Sequence, residues 1–252
     1  MIFTNLIETN LRTKVFGKNI EYYQRLESTN AESWSLIKKD MANHGTIIIT
    51  DNQIKGKGRN GNTWFMSPSK GLAMSIILLE PLQIKDAERI PIAAGVAAAK
   101  TLENRGVNAS LKWPNDIMIN EKKCGGILCE SKILNQNIQS MVVGIGININ
   151  ENKYDFPPEI LETATSLFIE TGYSHQRELL CAIFTTFFER ELNNLSLTLD
   201  LWKNYCSHIG QIISFNHKGE KYSGTFKGID SNGGALIEIE NDIKNFTSII
   251  MD

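Results

Sequence analysis

Between Gln53 and Trp64 the chain reads Gln-Ile-Lys-Gly-Lys-Gly-Arg-Asn-Gly-Asn-Thr-Trp, so Gly56, Gly58 and Gly61 are interleaved with Lys55, Lys57 and Arg59. Glycine permits positive φ and lets backbone N–H groups come close to a ligand. Successive N–H groups in such a loop form a concavity that suits an anion, and the cations add charge to it. Trp64 supplies a flat apolar wall beside them. The chemistry this implies is capture of a carboxylate or a phosphate. A strand expected at Thr46–Thr50 precedes the loop, as in dinucleotide-binding proteins, but no helical periodicity follows it. No Gly-Lys-Ser/Thr closes the run, so it is not a Walker loop. Taken alone, the stretch fits a basic surface loop as well as it fits a ligand site.

The elements that must position these residues come from periodicity. Ile20–Leu26 reads as a strand leading into Ser28-Thr29-Asn30, and Ala31–Lys39 as a helix with Trp34 and Ile37 on its inner face. Ser28, Thr29 and Asn30 are natural N-caps, and a cap can also face a ligand. Gly71–Leu79 is a buried strand ended by Pro81. Asp86–Asn104 is a long helix with Ile90, Ala93, Ala94, Ala97 and Ala98 on its packed face, stopped by Gly106. Ser110–Trp113 is a short strand, Pro114-Asn115-Asp116 turns the chain into Ile117–Ile119, and Glu121-Lys122-Lys123 reads as a hairpin turn before a strand at Gly125–Glu130. A further strand runs from Ile138 to Ile147 and carries Gly144 and Gly146. The fold class is α+β, a mixed sheet with antiparallel hairpins rather than a βαβ series.

Tyr154–Pro158 reads as a loop, and Arg177–Glu191 and Leu195–Tyr205 as helices. From Ile209 the texture changes to short strands at Gln211–Phe215, Lys221–Lys227 and Ala235–Ile239, separated by polar turns. That is a small all-β module of the barrel kind. With the boundary near Ser207, the chain divides into 1–207 and 208–252.

A length of 252 residues suits one sizeable domain with a small appendage, and 42% hydrophobic with 21% charged residues is ordinary for a globular chain. The net charge of −2 provides no global field for nucleic acid, so the cationic character is local and matches a small anion. Cys124, Cys129, Cys181 and Cys206 lack metal-knuckle spacing, and Cys124 and Cys129, in or beside an apolar segment, read as buried free thiols in a reducing compartment. The four histidines form no metal motif. Without a signal pattern or an apolar run of membrane length, a soluble cytoplasmic protein is expected.

Taken together and in order, Glu27-Ser28-Thr29-Asn30, the Gly56–Trp64 loop, Lys112-Trp113-Pro114-Asn115-Asp116, Lys123 with Gly125-Gly126-Ile127-Leu128, Gly144-Ile145-Gly146-Ile147-Asn148-Ile149-Asn150 and the terminal β module closely resemble the biotin protein ligases. The resemblance runs from about Tyr22 to near the C-terminus, and the combination is far more specific than any one motif. It implies a sheet related to class II aminoacyl-tRNA synthetases, followed by an SH3-like barrel. It also implies formation of biotinyl-adenylate from biotin and ATP, then transfer of biotin to one lysine of a biotin carboxyl carrier domain, such as that of acetyl-CoA or pyruvate carboxylase. Biotin would lie against Ser28, Thr29, Asn30, Gln53, Lys57, Gly58, Arg59, Trp64, Gly126 and Lys123. ATP or adenylate would lie against Gly56, Lys57, Arg59, Lys112, Asn115 and Asn148. Lys123 and Arg59 would carry the chemistry, and Asp116 and Asn148 would be the oxygen ligands for Mg²⁺.

Each of these residues also has a plainer reading. Asp116 can bond its own turn amides, Lys123 can be a solvated turn lysine, Trp113 can be core, and Asn148 and Asn150 can cap a strand end. The chain departs from the family's pattern at Lys57, Asn60 and Asn62, where arginine is frequent. Lys57 keeps the charge without the bidentate fork, and the two asparagines remove cations from the loop. Too few residues precede Ser28 for the helix-turn-helix of the bifunctional members, so a ligase without DNA binding is expected. A homodimer through sheet edges is compatible with the family. The rival readings are a lipoate ligase or octanoyltransferase, and a biotin- or adenylate-binding regulator without turnover.

Overall fold

The computed structural model describes residues 1–79, 82–135 and 137–251, without the side chains of Ile250 and Met251. The expected strand end at Pro81 lies outside the described residues. The chain opens with a helix, α1 (Thr4–Asn10), that no periodicity announced, followed by β1 (Ile20–Tyr23) and α2 (Thr29–Lys38). After them come β2 (Ile47–Thr50), the two-residue strands β3 (Gly56–Lys57) and β4 (Thr63–Trp64), β5 (Leu72–Leu78) and β6 (Leu82–Gln83). Helix α3 (Asp86–Glu103) leads to β7 (Ser110–Lys112), β8 (Asp116–Ile119), β9 (Lys122–Leu134) and β10 (Asn137–Ile147). Helices α4 (Leu167–Thr171), α5 (Arg177–Leu192) and α6 (Leu195–Tyr205) complete this part.

The main sheet runs β1-β2-β5-β10-β9-β8-β7, with β6 beside β10. It is mixed, as expected. β1 and β2 pair in parallel across α2, which makes one βαβ unit, and the pairs from β2 to β7 are antiparallel. Two-residue alternation sorts the side chains to the two faces. Ile47, Ile49, Met74, Ile76, Val143, Ile145 and Ile147 enter the main core with α3 and α5, while Ile48, Ile77 and Leu36 of α2 form a small cluster on the opposite face. The inner face of α2 is Thr29, Asn30, Ser33 and Leu36, and Trp34 and Ile37 are only half-buried. Helix α3 ends where expected, before Gly106 at φ 78°.

The hairpin turn falls one step earlier than its charges imply. Asn120 and Glu121 take positive φ, 48° and 64°, so Lys122 and Lys123 begin β9. Cys124 and Cys181 are buried, whereas Cys129, expected to be buried, is half-buried, as is Cys206, and all four are free thiols. No helix among the described residues is long and apolar enough to cross a membrane.

The C-terminal module has more strands than expected: β11 (Ile212–His217), β12 (Glu220–Ile229), β13 (Ala235–Ile239), β14 (Asp242–Phe246) and β15 (Ile250–Met251), in the order β14-β13-β12-β11-β15. The rings of Phe215 on β11 and Phe246 on β14 meet edge-on at 5.1 Å although two strands separate them, so the sheet is curled. Phe215, Phe226, Ile237 and Phe246 belong to the same buried cluster as Trp113 and the main-sheet core.

Candidate active site

Alternation places Ser75, Gly144 and Gly146 on the face that α2 covers, with Ser75 directly opposite Gly144 and Gly126 opposite Gly146. Asp116 is in turn opposite Gly126. The line from Ser75 to Asp116 therefore crosses three strand spacings, about 14 Å. Three glycines leave its middle without side chains. Over that floor lies a cleft of about 200 Å³.

One end of the cleft is the N-terminus of α2. Ser28 caps the helix by accepting from the Ala31 N–H at 3.5 Å. The Thr29 N–H donates to Gln53 Oε1 at 2.8 Å, and the Leu26–Gln53 bridge holds that loop beside the helix start. Behind them Asp51, the residue after β2, is buried against Arg177 of α5 at 2.7 Å and accepts from the Tyr22 hydroxyl at 2.6 Å. Burial alone would raise the Asp51 carboxyl, but Tyr22, Arg177 and the N-terminal ammonium hold it below the usual carboxylate range.

The roof is the glycine-rich stretch. It is not a featureless loop, because β3 and β4 pair across a 3₁₀ turn at Arg59–Gly61 in which Asn60 adopts φ 55°. Gly56 lies inside this hairpin rather than in the cleft: a β-carbon there would come within 2.3 Å of the Trp64 carbonyl oxygen. Pairing with Gly56 directs Trp64 over Gly126 and Gly146, and its buried indole N–H has no hydrogen-bond partner among the described residues.

At the far end, the Lys123 ammonium is 2.6 Å from Asp116 Oδ1, with the two side chains 40% and 27% exposed. Arg59 lies near this pair. Its own burial pulls the guanidinium below its ordinary range, while Asp116 pulls it back up, and the group stays cationic near neutrality. Asn115 anchors the Trp113–Asp116 turn, its Nδ2 donating to the Ile127 carbonyl at 2.8 Å. Trp113 is core, as the plainer reading has it, at 2% exposure.

Ser28, Thr29, Asn30, Gln53, Lys57, Gly58, Arg59, Trp64, Lys112, Asn115, Asp116, Lys123 and Gly126 thus share one cleft. Asn148 does not. It is buried past the end of β10, its amide donates to the Thr165 carbonyl at 2.9 Å, and it does not line the cleft. That geometry removes it from both the nucleotide set and the metal set. Among the described residues no group of three or more His, Cys, Asp or Glu could hold a metal. Asp116 is the carboxylate that lines the cleft and could serve a magnesium ion, which ordinarily binds through one or two carboxylates, substrate phosphates and water.

Sequence reasoning missed Ile249, which lines the cleft from the C-terminal module, and Ser248, whose Oγ is 3.5 Å from Arg59 Nη2. A second cavity of about 540 Å³ adjoins the first, sharing the Lys57–Asn60 segment and Asn115. It is bounded by Glu88 and Pro91 of α3 and by Gly233 and Thr247 of the module.

The model of the Biotin/lipoate A/B protein ligase family matches residues 22–148. The chain is also 32% identical over 248 residues to the bifunctional ligase/repressor BirA of Bacillus subtilis, covering 96% of this chain and 76% of that protein. The chain belongs to the biotin protein ligase family. A Biotin protein ligase C terminal domain model matches residues 208–248. The biotin--[acetyl-CoA-carboxylase] ligase of Paracoccus denitrificans is 26% identical, with 84% of this chain and 91% of that protein aligned. Among solved structures, the biotin protein ligase from Aquifex aeolicus in complex with biotin and ATP superposes with a TM-score of 0.78 at 28% identity, covering 93% of this chain and 98% of that one. The mixed sheet with flanking helices and an antiparallel C-terminal module is the architecture of this ligase family.

Proposed function

We propose that this protein is an ATP-dependent biotin–protein ligase, with a catalytic part at 1–207 and a barrel at 208–252. The observation that carries the reading is the arrangement along one cleft. Polar groups of Ser28, Thr29 and Gln53 stand at one end, the Trp64 indole over glycine in the middle, and Lys123 and Arg59 at the other end. A cyclic urea needs both donors and acceptors, which the first group supplies. An apolar chain suits the slot under Trp64, and a carboxylate suits the cationic end.

In the first step a biotin carboxylate oxygen bonds to the α-phosphorus of ATP, the bond from that phosphorus to the bridging oxygen breaks, and pyrophosphate leaves. Two anions must meet in line, so positioning and cationic charge carry the catalysis. Lys123 meets the carboxylate, and its ion pair with Asp116 stabilises the charge before substrate arrives. Arg59 can hold two oxygens with its fork, Lys57 acts as a point charge, and the nucleotide enters by the adjoining cavity, beside Asn115. Magnesium arriving with ATP would neutralise phosphate charge, with Asp116 as its protein ligand.

In the second step the amine of a lysine on a biotin carboxyl carrier domain, of the acetyl-CoA or pyruvate carboxylase kind, attacks the acyl carbon and AMP departs. No nucleophile of this chain is required. Cytoplasmic placement and a homodimer through the sheet edges complete the reading.

A pyrophosphate-release assay with MgATP and, separately, biotin, lipoate or octanoate tests it. Release with biotin, accompanied by a biotinyl-adenylate mass, is the expected result. Release only with lipoate or octanoate would move the chain to the sister activity, and silence with all three in folded protein would overturn the enzymatic reading.

A further inference from the structure

A row of polar side chains runs from Thr29 and Asn30 in the cleft wall to two residues that have no role above, the buried Ser75 and the half-buried Glu130. The Asn30 amide nitrogen faces two acceptors, Glu130 Oε2 at 2.8 Å and the Leu128 carbonyl at 3.2 Å. Both of its protons point that way, so Asn30 Oδ1 is left as an acceptor. The Ser75 hydroxyl is 2.7 Å from Asn30 Oδ1 and also 2.7 Å from Thr29 Oγ1. Ser75 has one proton, and Asn30 Oδ1 can only accept, so Ser75 donates to Asn30. The short contact between Ser75 and Thr29 then requires the Thr29 proton, which goes to Ser75 Oγ rather than to Gln53 Oε1 at 3.2 Å.

The direction of every bond in the row is therefore set by the two acceptors on the Asn30 amide, the Leu128 carbonyl and Glu130, whose Oε2 also accepts from the Trp34 indole N–H at 3.3 Å. The row fits because Gly144 lies opposite Ser75, and a β-carbon on Gly144 would come within 2.2 Å of Asn30 Oδ1. Its effect reaches the cleft. With its proton committed inward, Thr29 Oγ1 shows the cleft only lone pairs. Gln53 Oε1 is committed to the Thr29 N–H, so its amide protons are the free ones. Ser28 Oγ accepts from Ala31, which leaves its proton to donate. The wall therefore shows one acceptor and two donors, enough for one N–H and for the two lone pairs of a neighbouring C=O.

We infer that Ser75 and Glu130, neither of which lines the cleft, are positioning residues that fix the donor–acceptor polarity of this wall and so select a cyclic-urea head group. The inference rests on the biotin reading above. It assigns no part in the adenylation chemistry to Ser75, so its loss acts on biotin affinity and leaves nucleotide affinity alone, whereas Glu130 also borders the adjoining cavity and its variants are read on biotin affinity.

Titration calorimetry of the full chain with biotin, and separately with MgATP, tests this. Wild-type protein is measured first, and failure to bind biotin there would overturn the functional reading itself. With wild-type binding established, Ser75→Ala is expected to weaken biotin about tenfold or more, the cost of an unpaired buried acceptor and a freed hydroxyl proton. MgATP affinity and the rate at saturating biotin should stay within about twofold of wild type, below the tenfold that one lost hydrogen bond of this kind implies. Glu130→Leu should likewise weaken biotin, and Glu130→Gln, which keeps an acceptor oxygen for Asn30 and Trp34, should recover most of the lost biotin affinity. Biotin affinity unchanged in Ser75→Ala, equal losses for biotin and MgATP in Ser75→Ala, or Glu130→Gln as impaired in biotin binding as Glu130→Leu would each overturn the inference.

Discussion

The indole of Trp64 lies so close over Gly146 that a β-carbon there would come within 2.4 Å of its Cε2 atom. A methyl group at this position therefore displaces the roof of the cleft. Gly146→Ala should weaken biotin about tenfold, the scale of a small overpacking penalty. The tryptophan emission should shift as the indole moves toward water, and a biotin titration followed by fluorescence reads both effects.

Lys123 and Asp116 form a half-exposed ion pair, so little stability depends on it. Lys123→Ala should leave the unfolding midpoint within about 1 kcal/mol of wild type. Biotinyl-adenylate formation should fall roughly 100- to 1,000-fold, as when one preorganised donor is removed from a developing charge. Single-turnover adenylation with mass detection separates this from a folding defect.

The Asp51–Arg177 pair is different, because both side chains are buried and tie the start of the Gln53 loop to α5. Arg177→Met leaves the Asp51 carboxylate buried with the Tyr22 hydroxyl and the N-terminal ammonium, and should cost about 3–5 kcal/mol by urea unfolding. Because Arg177 helps hold Asp51 below the usual carboxylate range, part of wild-type stability is present above that range and is lost on acidification.

Two buried groups give stability slopes of opposite sign. Burial pushes Glu151 up from 4.5 to about 7, the backbone N–H groups of Glu151, Ile149 and Ser67 only partly opposing it. Between those pH values the folded chain keeps a proton the unfolded chain has lost, so stability falls as pH rises, by about 3 kcal/mol in all. Burial, helped by Lys112, pushes His208 down from 6.5 to about 4. There the unfolded chain holds the extra proton, so stability rises with pH by about 3 kcal/mol over that window. The slopes oppose one another from pH 4.5 to 6.5. Relative to wild type, Glu151→Gln should gain stability progressively as pH rises, and His208→Gln should lose it. Urea midpoints at half-unit pH steps decide the signs.

Much of the cleft was legible because its residues sit in short motifs whose types already declare charge and turn chemistry. The Gly56–Trp64 run, Lys112–Asp116 and Lys123 all fall around it except Gly56, which the β3–β4 pairing consumes, and Gly61, which borders the adjoining cavity. Two-residue alternation also places Gly144 and Gly146 on the cleft face, and the same alternation would carry Asn148 there. It fails because β10 ends at Ile147 and the chain turns beneath Thr165. Ser75 was invisible inside an apolar run, where one small polar residue gives no periodic signal. Glu130 acts through a partner 100 positions away, and Ile249 arrives from the far end of the chain. Only the fold brings such residues together.

The Trp113 indole, next to the Asn115–Asp116 turn of the cleft, donates to the Gly233 carbonyl at 3.0 Å and packs 6.5 Å from the Phe226 ring. The sheet and the curled module thus share a single apolar interior, and the wall that meets a ligand is mechanically continuous with strands across the junction. Ligand free energy is then spread over both parts instead of staying local. Amide exchange at Phe226 and Ile237 should slow when biotin binds, as though the module itself had been occupied, and heat should melt the chain in one transition.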